Sequence, residues 1–132
     1  MNLWVIRHAK SSWADESQSD FDRPLKRRGE KDGKLMVRWM RAQDARPEQI
    51  ISSDAARTRA TAEFVREGFG VPADRLRFDH RLYAASVDVQ LAVLREVPAG
   101  VAAVALVAHN PESTEFVNTL AGQRVIEKLP TF

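Results

Sequence analysis

The chain contains no cysteine. Disulfides, thiolate-held metals and cysteine nucleophiles are therefore excluded, which removes every mechanism that carries a reaction intermediate on sulfur. Charge of one sign is also scarce in excess: 20 Lys and Arg stand against 18 Asp and Glu, a net of +2. That balance does not make the polybasic face that non-specific nucleic-acid binding needs, so no nucleic-acid partner is expected. Long apolar runs are missing too. Val101 to Ala108 is the most apolar stretch, far short of the roughly 20 residues of a membrane helix. The run Leu3-Trp4-Val5-Ile6 stops at Arg7, too early for the core of a secretory signal. A cytoplasmic protein without a membrane partner is the expectation. The only histidines are His8, His80 and His109. None share the i, i+3 or i, i+4 spacing of a helical metal site, so neither a metal nor a cofactor is expected.

What is present suits one folded domain over residues 1–132, with 44% hydrophobic and 29% charged residues. Short apolar runs alternate with helical patterns. Leu3 to Ile6 reads as a strand, followed by a long polar loop over 9–23. From about Gly33, Leu35, Met36, Trp39 and Met40 recur at helical spacing, and Trp4 and Trp39 read as core. Ile50-Ile51 reads as a second strand. Asp54 is placed to cap a helix over 55–69, with Ala60, Phe64 and Val65 on its inner face and Gly68 and Gly70 at its end. A weak strand is expected within 77–83, then a helix carrying Val87, Leu91 and Leu94. Val101 to Ala108 reads as a strand buried on both faces, and a last helix carries Phe116, Val117 and Leu120 up to Gly122. This alternation predicts an α/β protein, a three-layer α/β/α sandwich around a mostly parallel sheet.

Three polar segments follow three of these strands: Arg7-His8, Ser53 to Arg57, and His109-Asn110. Ligands of open α/β sheets bind beyond the carboxyl ends of the strands, so the three segments are expected at one edge. Their residue types suit phosphoryl transfer to histidine. A neutral imidazole presents one nitrogen to phosphorus, while an acceptor on the other fixes the tautomer. Charge spread over the phosphoryl oxygens is best met by preorganised cations, and a guanidinium binds two oxygens at once. His8 is the candidate nucleophile, with Arg7, Arg57 and His109 as the cradle. Lys10 and Ser11 lie near enough in sequence to bind substrate. His80, between Asp79 and Arg81, reads as a surface residue, and Trp13 and Arg23 as loop anchors or pocket walls in equal measure.

At these residues the chain resembles the histidine phosphatase superfamily. Arg7-His8-Ala9 is similar to its Arg-His-Gly signature; Ser53-Asp54-Ala55-Ala56-Arg57 with Thr61 to its second motif; Val107-Ala108-His109-Asn110-Pro111 to its third, Gly-His-Asn-Pro. The string from Arg7 to Trp13, followed by Asp22-Arg23-Pro24-Leu25 and Gly29, resembles the small bacterial SixA-like phosphohistidine phosphatases. The resemblance implies a phosphoglycerate mutase-like fold and phosphatase activity through a phospho-His8 intermediate. It implies Arg7, Arg57 and His109 on the phosphoryl oxygens. Ala9 and Ala108 replace glycines, and a methyl group at either would narrow the pocket. Where the mutases carry a general-acid Glu, this chain reads Arg81-Leu82-Tyr83-Ala84-Ala85-Ser86, with no carboxylate.

An alkoxide leaving group needs a proton donor, whereas imidazole, with a conjugate acid of pKa about 6.5, needs far less help. The expected substrate is therefore a phosphohistidine on a protein, such as a phosphorelay component. The alternatives are a small phosphate ester, hydrolysed by a phosphomonoesterase of the same superfamily, and a non-catalytic binding protein using the basic stripe Arg27, Lys31, Lys34, Arg38 and Arg41. The carboxylates expected nearest the motifs are Asp15, Asp79, Asp88, Glu112 and Glu115. In the resembling family a strand follows Leu-Pro-Thr. Here only Phe132 follows Leu129-Pro130-Thr131, so the sheet edge is expected to be open or covered by a second copy.

Overall fold

The structure, a computed structural model, describes residues 1–132. Four strands, β1 (Asn2–Arg7), β2 (Gln49–Ser52), β3 (Leu76–Phe78) and β4 (Ala103–Ala108), form one sheet in the order β1-β4-β2-β3. Every pairing is parallel. The helices are α1 (Arg27–Ala42), α2 (Ala56–Phe69), α3 (Val87–Arg95) and α4 (Glu112–Ala121), with short 3-10 turns at Asp20–Asp22, Ala73–Arg75 and His80–Leu82. No helix is long and apolar enough to cross a membrane.

Strand alternation divides the core into two layers. Ile6, Ile50, Ala105 and Val107 pack with Val37 and Met40 of α1 and with Ala62 and Val65 of α2. Ile51, Val104 and Leu106 pack with Val93 and Leu94 of α3 and with Phe116 of α4. Every residue of β4 is buried, because β4 lies between two strands and beneath both layers. This is the expected α/β/α sandwich with a parallel sheet.

Three local readings are corrected. α1 starts at Arg27, and its buried line is Gly29, Gly33, Val37 and Met40. Leu35 and Trp39 are each 51% exposed, so Trp39 is not core. The glycines let α1 approach its neighbours closely: a Cβ at Gly33 would lie 2.8 Å from the Phe64 ring. Bulky side chains are accordingly turned away from that contact. Asp54 does not cap α2. Ala55 is the cap residue, without a side-chain bond, and the Asp54 carboxylate instead meets His80 Nδ1 at 3.0 Å. The inner face of α2 is Thr58, Thr61, Ala62 and Val65, with Ala60 and Phe64 only part-buried.

β1 is an edge strand whose outer side pairs with no strand of residues 1–132. Phe132 reaches its end, donating its amide to the Arg7 and His8 carbonyls at 3.1 and 3.3 Å, with its side chain in the α1–α2 core layer.

Candidate active site

Parallel register sets Arg7 beside Ala108 and Ser52 beside Val107. The chain then leaves all three strands at one sheet edge. His8 N donates to Ala108 O at 3.2 Å and Ser53 N to Val107 O at 2.9 Å. The imidazoles of His8 and His109 lie 5.5 Å apart, centre to centre. Both residues are buried, as is Arg57 from the first turn of α2.

His8 Nδ1 lies 2.7 Å from the Ala9 carbonyl. A carbonyl only accepts, so the proton sits on Nδ1 and Nε2 carries the lone pair. The loop that supplies this carbonyl is pinned in turn. Ala9 N donates to Thr61 Oγ1 at 2.9 Å, and the Thr61 hydroxyl donates to the Arg57 carbonyl at 2.8 Å. The Ala9 methyl points into the core and does not narrow the pocket. Burial, helped by Arg57, Arg7 and Arg23, pushes the His8 pKa down to about 4 against the opposing bond to Ala9. His8 is thus neutral and nucleophilic at physiological pH.

His109 Nε2 lies 2.8 Å from Ser53 Oγ, which also accepts from Ala55 N at 3.4 Å. The Ser53 hydroxyl can donate to Nε2 or accept from it, so the contact holds the ring in place without fixing its tautomer. Burial and then Arg57 push the His109 pKa down to about 3, so the ring is neutral. Three buried nitrogens of the cradle have no protein partner: the donors Arg7 Nε and Arg57 Nε, and the ring nitrogen His109 Nδ1. Unpaired buried polar atoms are costly, and these belong to the three residues that the sequence nominates for the phosphoryl oxygens. The remaining contact of Arg7 runs from Nη1 to the Leu129 carbonyl at 3.2 Å.

The loop over 19–23 closes on this group through a residue that the sequence reading did not nominate. Arg57 donates from Nη1 to the Asp20 carbonyl at 2.6 Å and from Nη2 to the Asp20 carboxylate at 2.9 Å. Tyr83 OH donates to the same carboxylate at 2.6 Å, and Arg23 Nε to its other oxygen at 3.1 Å. These donors hold the Asp20 carboxyl well below the usual carboxylate range, Tyr83 first. Tyr83 stands edge-on to His109, and Phe21 edge-on to Tyr83, at 5.5 and 5.3 Å. Ser11 enters the group indirectly, accepting from Arg23 Nη1 at 2.6 Å. Arg23 is itself buried, under the exposed Trp13 ring at 3.5 Å. Lys10 is exposed, and its side chain makes no hydrogen bond or ion pair. The stripe Arg27, Lys31, Lys34 and Arg38 is solvated on α1, while Arg41 bonds the Gly68 carbonyl of α2.

A neutral histidine with one ring nitrogen free, two arginines and a second histidine at one sheet edge are chemically suited to phosphoryl transfer. Residues 3–83 match the model of the histidine phosphatase superfamily, branch 1. An uncharacterised protein of Mycobacterium tuberculosis is 31% identical over 135 residues, covering 96% of this chain and 82% of that protein. A solved structure from Agrobacterium tumefaciens, provisionally named phosphohistidine phosphatase SixA, superposes with a TM-score of 0.87 at 27% identity, covering 98% of this chain and 85% of that one. The protein histidine phosphatase SixA in complex with tungstate gives 0.87 at 25% identity, covering 99% and 84%. The chain belongs to the histidine phosphatase superfamily. It is a phosphatase with a phosphoglycerate mutase-like fold.

Proposed function

We propose that the chain is a cytoplasmic, cofactor-independent phosphohistidine phosphatase, acting on a phosphorylated protein such as a phosphorelay component through phospho-His8. The observation that carries this reading is the state of His8: a neutral ring, its Nδ1–H held by Ala9 O at 2.7 Å, with Nε2 free to attack.

In the first step the Nε2 lone pair forms a bond to phosphorus as the P–N bond to the substrate ring breaks. The electron pair of that bond goes to the leaving nitrogen. If the other ring nitrogen of the substrate is protonated beforehand, the ring departs as neutral imidazole and no enzyme acid is needed. The Ala9 carbonyl supports the positive charge that His8 gains. In the second step a water oxygen attacks phosphorus, and the P–Nε2 bond breaks with its electrons returning to Nε2. The proton of the water is lost to solvent and inorganic phosphate leaves. Arg7, Arg57 and His109 stabilise the charge on the phosphoryl oxygens in both steps.

The test offers the protein a phosphohistidine-containing protein, an aryl phosphate and a phosphoserine peptide. The expected order of kcat/KM follows leaving-group acidity, with phosphohistidine far above phosphoserine, and an acid-labile, alkali-stable phosphoenzyme that is absent from His8→Ala. Preference for a small alkyl phosphate would move the assignment to a phosphomonoesterase.

A further inference from the structure

We propose that Asp20 is an internal competitor for the phosphoryl site: its carboxylate holds the donors that a phosphoryl group takes over, so that Tyr83 and Arg57 pass from Asp20 to the phosphoryl oxygens when substrate enters. The inference concerns phosphoryl binding and holds whichever leaving group the substrate carries.

The contacts are those of a bound anion. Both Nη atoms of Arg57 are engaged by Asp20, at 2.6 and 2.9 Å. Arg57 is buried, with only 6% of its side chain accessible, so it cannot turn to a second ligand at its Nη edge. Tyr83 OH spends its one proton on Asp20 at 2.6 Å, and Arg23 donates to the second carboxylate oxygen. A carboxylate has about four acceptor positions, and here Arg57, Tyr83 and two nitrogens of Arg23 fill them. Asp20 arrives from a loop 37 residues away from Arg57 and 63 away from Tyr83.

A phosphoryl dianion on Arg57 and an ionised carboxylate on the same guanidinium edge repel strongly at such range. The two are therefore exchanged rather than accommodated together. Asp20 is equipped to leave: its side chain is 47% exposed, and it sits in a single 3-10 turn, Asp20–Asp22, none of whose residues is buried. Departure of the carboxylate frees Nη2 of Arg57 and the Tyr83 hydroxyl at once, while Nη1 keeps its bond to the Asp20 carbonyl; the freed pair joins the unpartnered Arg57 Nε as donors suited to a tetrahedral oxyanion. Return of Asp20 after hydrolysis would displace inorganic phosphate, which makes the residue an aid to product release as well as a brake on binding.

The test measures the inhibition constant and equilibrium affinity for inorganic phosphate. Asp20→Asn keeps the shape and removes the charge, and Asp20→Ala removes the side-chain ligand while leaving the carbonyl that Nη1 of Arg57 meets. Both should bind phosphate more tightly, on the order of tenfold. Tyr83→Phe made in the Asp20→Ala background should lose part of that gain, because the hydroxyl then has phosphate as its partner. Weaker or unchanged phosphate binding in both Asp20 variants would overturn the proposal and make Asp20 a residue that orients Arg57. A Tyr83→Phe change without effect in that background would remove Tyr83 from the exchange and overturn that half of it. Circular dichroism of each variant separates these outcomes from loss of fold. The phosphohistidine reading stands or falls separately, on the substrate comparison with the unaltered protein.

Discussion

Acidifying the protein from pH 6 to pH 5 should cost it a large part of its stability, and the two site histidines should account for most of the loss. Folded His8 has a pKa of about 4 and folded His109 of about 3, both depressed mainly by burial. In the unfolded chain each returns to roughly 6.5. As the pH falls below that value the unfolded state takes up protons that the folded state refuses, so stability is full above pH 6.5 and declines below it. Each such proton is worth about 1.4 kcal/mol per pH unit. Between pH 6 and 5 the unfolded chain carries most of both protons, so the pair should lower the unfolding free energy by about 2.5 kcal/mol, out of a typical 5–15 kcal/mol. Asp20 and Asp79 are depressed by their hydrogen-bond donors, and their stabilisation is lost only at lower pH, below the ordinary carboxylate range. Urea unfolding followed by tryptophan fluorescence at fixed ionic strength measures the slope, and His8→Gln and His109→Gln should each remove about half of it. A wild-type stability that is flat from pH 6 to 5, or an unaltered slope in both variants, would refute the claim that these rings are held neutral.

Four further outcomes test the geometry. His8→Ala should abolish turnover, by roughly 10⁴-fold or more, with unchanged far-ultraviolet circular dichroism. Arg57→Lys should cut kcat/KM on the order of 100-fold, since a planar fork becomes a point charge; a loss under threefold would deny Arg57 its role. Thr61→Val removes the acceptor of the Ala9 amide and should lower the unfolding free energy by about 1–3 kcal/mol, as read from urea midpoints. Gly33→Ala sets a methyl 2.8 Å from the Phe64 ring and should cost about 1–3 kcal/mol, seen as a lower melting temperature.

What was legible in the sequence follows the range of the interactions concerned. β4 could be read from Val101 to Ala108 because a strand buried on both faces needs an apolar residue at every position. The site could be read from Arg7-His8, Arg57 and His109 because each sits within a few residues of a strand end, and parallel register does the rest. α1 was misread for a different reason. Its close contacts are made by the absence of side chains, at Gly33 against Phe64 of α2 and at Gly29 against the Lys10 backbone, which hydrophobic periodicity does not register. Asp54 fits a local capping rule, yet its partner is His80, 26 residues away. Asp20 was invisible for the same cause: nothing in an unpatterned polar loop indicates that it will meet Arg57 and Tyr83. A faint local sign existed in the i, i+3 spacing of Asp20 and Arg23, which form an ion pair at 3.0 Å.

Asp20 also changes the grounds of the leaving-group argument. The sequence offers no carboxylate where related mutases place a general acid, and the structure brings one in from elsewhere. Proximity alone does not make it an acid. A general acid must hold a proton at the working pH, and Asp20 is ionised because Tyr83, Arg57 and Arg23 all donate to it. Tyr83 keeps its proton but is too weak an acid, its pKa raised above the ordinary phenol value, first by the bond to Asp20. Neither group is matched to give up a proton near neutrality: Asp20 has none to give, and Tyr83 holds its own too tightly. Rates for a series of phosphate esters should fall steeply with leaving-group pKa, and Asp20→Asn should shift the affinities while leaving that slope as it is. A donor of this kind is typically worth about 10²–10⁴-fold. A slope that steepens in Asp20→Asn, with alkyl phosphates losing about that much and activated aryl phosphates little, would show that Asp20 carries a proton to the leaving group. The preference for phosphohistidine would then need another cause.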